Sequence, residues 1–490
     1  MNTVLFSILL GIPLAGAALC GLNSRRRVLE MATILTGVIT LLTSLWIARS
    51  VARSSILASP NALFYVDALS AYIIVIIAGS FLATAVYSLE YLGRQIELGV
   101  VSNKQLRLYY GLLNIFLFTM LFVLVSNNLG FLWIGSEAST LSTAFLVAFY
   151  EKEHSLEAAW KYVIICSVGI ALALFGVILT YFASASIGVS SSNALNWSVL
   201  MSVADKLDPS VLKLSFIFIL IGFGTKAGLA PMHTWKPDAY SEAPAPVSGL
   251  MAAGLVNVAL YSILRFYILT TKALGDSFAP GLLLMVGLFS MALAVPFILV
   301  QKDVKRLLAY SSVEHVGIIT FALGLATPLA YFGALLHMLN NAIAKLLLFF
   351  CAGNIRVVYN TKMIRRITGA INVMPVTATI FILGVFAITG WPPFGIFVSE
   401  LTIVTAGFKS GNLVMSILFL GVVATIFVGF IYYAGGMVWG EPNTKKERRE
   451  SNTLTQLLLA ALLLMLMLLG TMLPGPISEF IQKAVKVIEG

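Results

Sequence analysis

Charge is what this sequence has least of. Only 11% of its 490 residues are Asp, Glu, Lys or Arg, against about 25% in an ordinary soluble domain. No polar stretch is long enough to build a soluble domain. Cysteine is scarce as well: Cys20, Cys166 and Cys351 lie far apart in apolar runs. That excludes the clustered ligands of a zinc or iron–sulfur site and leaves three small core residues. There is no GxGxxG after a strand, no phosphate loop and no HExxH, so no nucleotide-binding or metallohydrolase signature. What the chain has in abundance is apolar surface: 59% hydrophobic residues and a mean hydropathy of +0.96. The formal net charge of +10 would suggest nucleic acid in a soluble protein. In a chain this apolar it reflects basic loops beside a bilayer, so lipid is the expected partner and nucleic acid is not.

A membrane span needs roughly 20 apolar residues. Fourteen segments qualify, centred near residues 12, 40, 77, 117, 138, 171, 220, 255, 291, 315, 341, 388, 425 and 464. In the first, "TVLFSILLGIPLAGAALCGL", the charges follow the apolar run instead of preceding it, so it reads as a retained span and not a signal peptide. Basic residues test the count, because they concentrate in inside loops. With the N-terminus outside, inside loops collect Arg25 to Arg27, then Arg94, Lys104 and Arg107, then Lys152 and Lys161, then Lys236. They go on to collect Lys302, Lys305 and Arg306, then Arg356, Lys362, Arg365 and Arg366, and last Lys445, Lys446, Arg448 and Arg449. Outside regions collect far fewer. The expected fold is an all-α polytopic membrane protein of about fourteen transmembrane helices, both termini outside. It divides into 1–105 (helices one to three), 106–270 and 271–440 (two halves), and 441–490 (a loop and the last helix).

Two segments are interrupted. The seventh, within "GTKAGLAPMHTWKPDAYSEAPAPVSGL" (224–250), breaks at Pro231. The twelfth, "FAITGWPPFGIFVSELTIV" (386–404), breaks at Pro392, Pro393 and Gly395. They stand five apart in the order of spans, the pattern of inverted five-helix repeats in a transporter. Broken backbone at membrane depth is tolerated only when buried in protein or lining a watery cavity.

Ionisable residues within spans cost roughly 2.5–3.5 kcal/mol each on insertion scales and mark ion pathways. Glu137 lies midway through the fifth span, a transport group or else a structural carboxylate held by neighbouring hydroxyls. Lys226 precedes the first break. In "ALLHMLNNAIAKLLLFF", His337, Asn341 and Lys345 recur at i, i+4 and i+8, a polar stripe on one helix face. Such a stripe serves as part of a proton or ion wire, or as hydrogen-bonding glue between helices. Glu400 follows the second break and is the natural end of the route. Glu314 and His315 are adjacent in the tenth span, so about 100° apart on a helix; His315 is the better candidate, its reference pKa suiting reversible protonation. His154 reads as a surface residue, and Asp67 as a cap or the partner of an arginine. Lys236, Asp238 and Glu242 either guide ions to an entrance or solvate a loop.

These residues also carry a resemblance. "TKAGLAPMHTWKPDAYSEAPAPVSGLMAAG", "DVKRLLAYSSVEHVG", "HMLNNAIAKLLLFF" and "WPPFGIFVSELTIV" stand in the order found in the antiporter-like subunits of respiratory complex I, Mrp antiporters and membrane-bound [NiFe] hydrogenases. The likeness covers roughly residues 60–440. "SEASTLSTAFLVAFY", "LEAAWKYVIICSVGIALALFG" and "PPFGIFVSEL" look most like the large subunit of hydrogenase-4 and formate hydrogenlyase complexes. The resemblance implies a proton- or sodium-translocating subunit with no redox cofactor of its own. Partner membrane subunits and a peripheral redox arm would carry iron–sulfur clusters and [NiFe] chemistry, in a prokaryotic cell membrane. A Mrp-type sodium/proton antiporter subunit and a complex I membrane-arm subunit are the alternatives. The family pattern maps a gating pair onto Glu137 and Lys226, relay positions onto His315 and Lys345, and a terminal group onto Glu400; His233 and His337 fall within matching motifs. Two positions depart from the pattern: Asn257 stands where many members have lysine, and Asn341 where histidine is frequent. The long lateral helix of one complex I subunit type is not expected after the fourteenth span.

Overall fold

The computed structural model describes residues 2–275, 277–443 and 450–490; Lys445, Lys446, Arg448 and Arg449 lie outside the described residues. The chain opens with α1 (Asn2–Leu22) and α2 (Arg26–Ser54), then a two-residue antiparallel pairing of β1 (Leu57–Ala58) with β2 (Tyr65–Val66). There follow α3 (Ala68–Glu97), α4 (Asn103–Val125), α5 (Leu129–Val147), α6 (Glu153–Ala185) and the short α7 (Trp197–Ser202). The first interrupted segment is α8 (Pro209–Ala227) with α9 (Trp235–Glu242). α10 (Ala245–Leu250) runs through a π-helical turn, Met251–Leu255, into α11 (Val256–Leu274). Next come α12 (Phe278–Leu299), α13 (Val304–Gly324), α14 (Pro328–Tyr359) and the short α15 (Ala370–Val373). The second interrupted segment is α16 (Pro375–Ile388) with α17 (Gly395–Lys409), followed by α18 (Leu413–Val438), α19 (Thr453–Thr471) and α20 (Gly475–Glu489).

Each of the fourteen centres read from the sequence falls within a helix. Among the described residues, twelve helices are long and apolar enough to cross a membrane; α5 and the α16–α17 pair account for the other two segments. α20 was not anticipated. Its apolar residues Ile477, Ile481, Ala484, Val485 and Ile488 recur at helical spacing, and it lies against α3 and α14.

Burial sorts the helices. The continuous Ala245–Leu274 helix is fully buried along its most apolar stretch, and α13 and α14 nearly so, whereas Leu413–Val438 buries 28% of its own. Greasy helices on the rim face lipid, and those rich in polar side chains fill the middle, because lipid cannot satisfy a polar group. Backbones approach closely where side chains vanish: a Cβ on Gly287 of α12 would overlap the Phe321 backbone of α13, the small-residue packing usual in membranes. Cys20, Cys166 and Cys351 are free and buried, as expected of core residues.

One buried ion pair ties the N-terminal helices to the centre. Asp67 caps α3 by accepting from the Ser70 N–H at 2.9 Å. Its carboxylate also takes a two-pronged bond from Arg265 of α11, at 2.7 and 2.9 Å. Arg265 donates further to Ser70 Oγ (2.6 Å) and Tyr261 Oη (2.9 Å), and its guanidinium lies 4.7 Å from the Trp197 ring. With Asp67 2% and Arg265 1% exposed, removing either partner leaves an uncompensated buried charge. Asp67→Ala is therefore expected to destabilise the fold by about 3–5 kcal/mol, read as a lowered unfolding temperature in detergent. An unchanged temperature would show the pair to be dispensable.

Candidate functional site: a buried line of ionisable groups

The site begins where α8 stops. Gly228, at φ +82°, ends the helix in the left-handed conformation three residues ahead of Pro231. The N–H groups of Gly228 and Leu229 turn back to the Gly224 carbonyl at 2.9 and 2.8 Å, a common helix stop. The last carbonyls of α8 still need donors. Trp235 Nε1 donates to the Thr225 carbonyl at 2.9 Å, and Lys236 Nζ donates to the Ala227 carbonyl at 2.7 Å. The Ala230 N–H in the break finds Ser290 Oγ of α12 at 3.0 Å.

Lys226, on the last turn of α8, is 1% exposed. Its Nζ donates to the Ser136 carbonyl and, at 2.5 Å, to Thr140 Oγ1, both on α5. Glu137, next to Ser136, is half-buried and accepts from Ser167 Oγ of α6 at 2.9 Å, while its Oε2 has no hydrogen-bond partner. Glu137 of α5 and Lys226 of α8 thus sit side by side without forming an ion pair.

Lys236 carries the line inward. The sequence reading left it as either an ion guide at an entrance or a solvated loop charge; it is wholly buried. Besides the Ala227 carbonyl it reaches the Ser312 carbonyl of α13 at 3.4 Å, and it interacts electrostatically with His315 and Lys345. A Cβ on Gly228 would press against its Nζ. On α14, Lys345 donates to Ser311 Oγ (2.8 Å) and the Leu308 carbonyl (3.2 Å) of α13. Glu314 is buried beside it and interacts with both Lys345 and Glu400. Both Glu314 and His315 therefore belong to the line, where the sequence reading kept His315 alone.

Beyond Lys345 the line becomes imidazole. His315 Nδ1 and His337 Nε2 lie 2.8 Å apart, and His337 Nδ1 lies 2.9 Å from Ser399 Oγ of α17. The Ser399 hydroxyl donates to the Ile396 carbonyl at 2.9 Å. This fixes the direction of the neutral chain: His337 donates from Nδ1 to Ser399, and His315 donates from Nδ1 to His337. The Ile388 carbonyl, last of α16, stands by the His315 ring, ready to accept a second N–H when that ring is protonated. His315, His337 and Glu400 bring ligand atoms within 4.8 Å of one another, all buried. Zinc accepts such a set; here the two imidazoles are hydrogen-bonded to each other and Glu400 lies beside them. Gly390, at φ +70°, leaves room for the Glu400 carboxylate, which a Cβ there would overlap.

Other nominated residues sit off this line. His233 packs edge-on against the stacked rings of Phe297 and Tyr310, with the Pro231 carbonyl beside it. Asn257 donates to the Ala253 carbonyl in the π-helical turn at 2.9 Å, leaving its Oδ1 buried and without a partner. Asn341 lies between His337 and Lys345 on α14 with its Oδ1 likewise bare, as are both amide atoms of neighbouring Asn340.

Lys305 is the residue that sequence reasoning missed, and the full burial of Lys236 is what it did not foresee. Lys305 is wholly buried and donates to the Ser241 and Ala243 carbonyls at 3.1 and 2.5 Å, at the end of α9. Both lysines meet the carbonyls of a helix stump, so the signal was the broken helix itself. At the same end Lys362 holds Glu242 (2.5 Å) and Asp303 (3.3 Å), and Arg306 and Lys161 hold Asp238. Asp238 and Glu242 are therefore clamped by ion pairs.

A family model described as NADH:quinone oxidoreductase/Mrp antiporter, transmembrane, matches residues 126–428. The hydrogenase-4 component F homolog of Methylacidiphilum infernorum (isolate V4) is 38% identical over 425 residues, which is 86% of this chain and 88% of that protein. The fold is similar to a chain of the membrane-bound sulfane sulfur reductase, an archaeal respiratory membrane complex, with TM-score 0.87, 25% identity and coverage of 98% and 97%. It is also similar to a chain of the Mrp complex from Dietzia sp. DQ12-45-1b, with TM-score 0.86 and 18% identity, covering 100% of this chain and 99% of that one. Family model, relative and fold all point the same way as the buried line of charges: this chain belongs to the NADH:quinone oxidoreductase/Mrp antiporter transmembrane family.

Proposed function

We propose that this chain is the ion-translocating membrane subunit of a redox-driven complex in a prokaryotic cell membrane, of the hydrogenase-4 or formate hydrogenlyase type, with protons as the cargo. The observation that carries the reading is the succession Glu137, Lys226, Lys236, Lys345, His315, His337 and Glu400, linked through side chains and carbonyls across two broken helices. Protons suit this lining: lysine, imidazole and carboxylate all exchange them, whereas ammonium groups and protonated imidazoles repel a sodium ion. In this reading residues 106–270 and 271–440 are inverted halves, one around each break, and both termini face outside. Electron chemistry, with its iron–sulfur and [NiFe] centres, lies on partner subunits of the membrane and peripheral arms.

The proposed steps begin at Lys226. Lys226 is held by a carbonyl and a hydroxyl on α5, with the free Oε2 of Glu137 one residue away. Swinging Nζ onto Glu137 stabilises its charged form; withdrawing it into the carbonyl-lined site favours release of its proton. The released proton passes to Lys236, then past Ser312 and Ser311 to Lys345. From there it enters at His315, whose second N–H meets the Ile388 carbonyl, and leaves by way of Glu400. Moving one charge against 100 mV takes roughly 2.3 kcal/mol, so a modest redox step suffices if it drives the Lys226 swing.

Proton translocation per electron transferred, measured in reconstituted complexes, tests the assignment. Lys226→Ala and Lys236→Ala are each expected to lower it roughly a hundredfold, the scale of losing one proton-transfer group. Normal pumping by Lys236→Ala would remove that residue from the route. Gly228→Ala and Gly390→Ala press a methyl group against Lys236 and Glu400. Both should reduce translocation while the complex still assembles; unaltered translocation in both would mean that the two side chains need no fixed position.

A further inference from the structure

A second feature lies apart from the ion line. A cavity of about 910 Å³ opens between α2, α3, α14, α19 and α20. Along α3 it runs from Tyr72 to Val86, fourteen residues or ~21 Å at the helical rise. That exceeds half the hydrocarbon thickness of a bilayer, about 15 Å. Its walls are aliphatic and aromatic: Leu45, Ala83, Leu346, Leu462 and Phe480 are typical. Gly79 deepens it, and a Cβ there would meet nothing within 4 Å. Ionic groups occur only at the end where α2 finishes and α20 lies: Arg49, Lys483 and Glu479. Arg49 is exposed and, among the described residues, has no ion pair. Lys483 gives one N–H to the Ala52 carbonyl at 2.6 Å, leaving two more to donate.

We infer that this groove is a binding site for one anionic phospholipid of the surrounding bilayer. An elongated apolar slot with a net positive mouth fits an acyl chain and a phosphate headgroup. A quinone head is neutral and would need uncharged hydrogen-bonding groups at depth; Tyr72, the phenol at the mouth, already donates to the Leu335 carbonyl at 2.8 Å. Because α20 forms one wall and rests on α3 and α14, the bound lipid seals this C-terminal helix against the central bundle. The site stands independently of the translocation reading.

The test equilibrates the whole complex with mixed micelles of equal amounts of phosphatidylglycerol and phosphatidylcholine, then counts retained lipid by native mass spectrometry. The intact protein is expected to keep one phosphatidylglycerol per copy of this chain, preferred roughly fivefold from the one net positive charge that Arg49, Lys483 and Glu479 leave at the mouth. Arg49→Glu with Lys483→Glu should abolish the preference. Gly79→Phe, which fills the slot without touching the charges, should abolish retention; should the double variant fail to assemble, this variant decides. Equal retention of the two lipids by the intact protein, or unchanged retention in Gly79→Phe, would overturn the proposal. So would disulfide capture of a partner subunit's helix by Gly79→Cys, since a peptide would then occupy the groove.

Discussion

A helix that stops inside a membrane protein exposes carbonyl oxygens where no bulk water can reach them. Everything distinctive here follows from how α8 meets that constraint. Its final carbonyls are answered by Trp235 and Lys236, from the stretch just beyond the break. An ammonium group is a costly donor to bury, and a neutral side chain could have served. The use of lysine puts a titratable group in the interior, between the α5–α8 region and the α13–α14 pair. The second break follows the same logic with imidazole: the terminal carbonyl of α16 stands by His315. In the proposed function structural need and transport chemistry fall on the same atoms; each break carries a left-handed glycine packed against an ionisable group, Gly228 on Lys236 and Gly390 on Glu400.

Charge at the periphery works differently. Asp67 and Arg265 form a closed, multiply hydrogen-bonded unit. Asp238, Glu242 and Asp303 are pinned by Lys161, Arg306 and Lys362 around α9. These clamps fix the short helix from which Lys236 projects. By contrast Glu137, Asn257, Asn341 and the Asn340 amide keep bare oxygens in the interior. Buried polar atoms without partners are expensive, and a row of them beside lysines and histidines is the environment in which ordered water bridges groups.

Much of this was legible in the sequence. The helices announced themselves by hydropathy, the breaks by Pro231 and Pro392–Pro393, and the i, i+4, i+8 spacing put His337, Asn341 and Lys345 on one face of α14, where His337 and Lys345 meet α13. Asp67 does cap and pair, and His154 is exposed. What failed was the sorting of charges near helix ends. Lys305 looked like a loop residue and Lys236 stayed open between an entrance guide and a loop charge, because no local pattern reveals that a distant carbonyl fills the place of water. The expected Glu137–Lys226 pair depended on which face of α5 met α8; one residue of register moves the lysine onto Ser136 and Thr140. α20 escaped notice because it is short and half polar.

The claim on which the account rests is that the interior from Glu137 to Glu400 is a single hydrated passage. A cryo-electron microscopy map of the intact complex, at a resolution that shows ordered solvent, tests it most directly. Water bridging Lys226 to Lys236, Lys236 to Lys345, and the histidine pair to Glu400 is the predicted result. A dry apolar gap at any of those three steps, in every state the complex adopts during turnover, would contradict it.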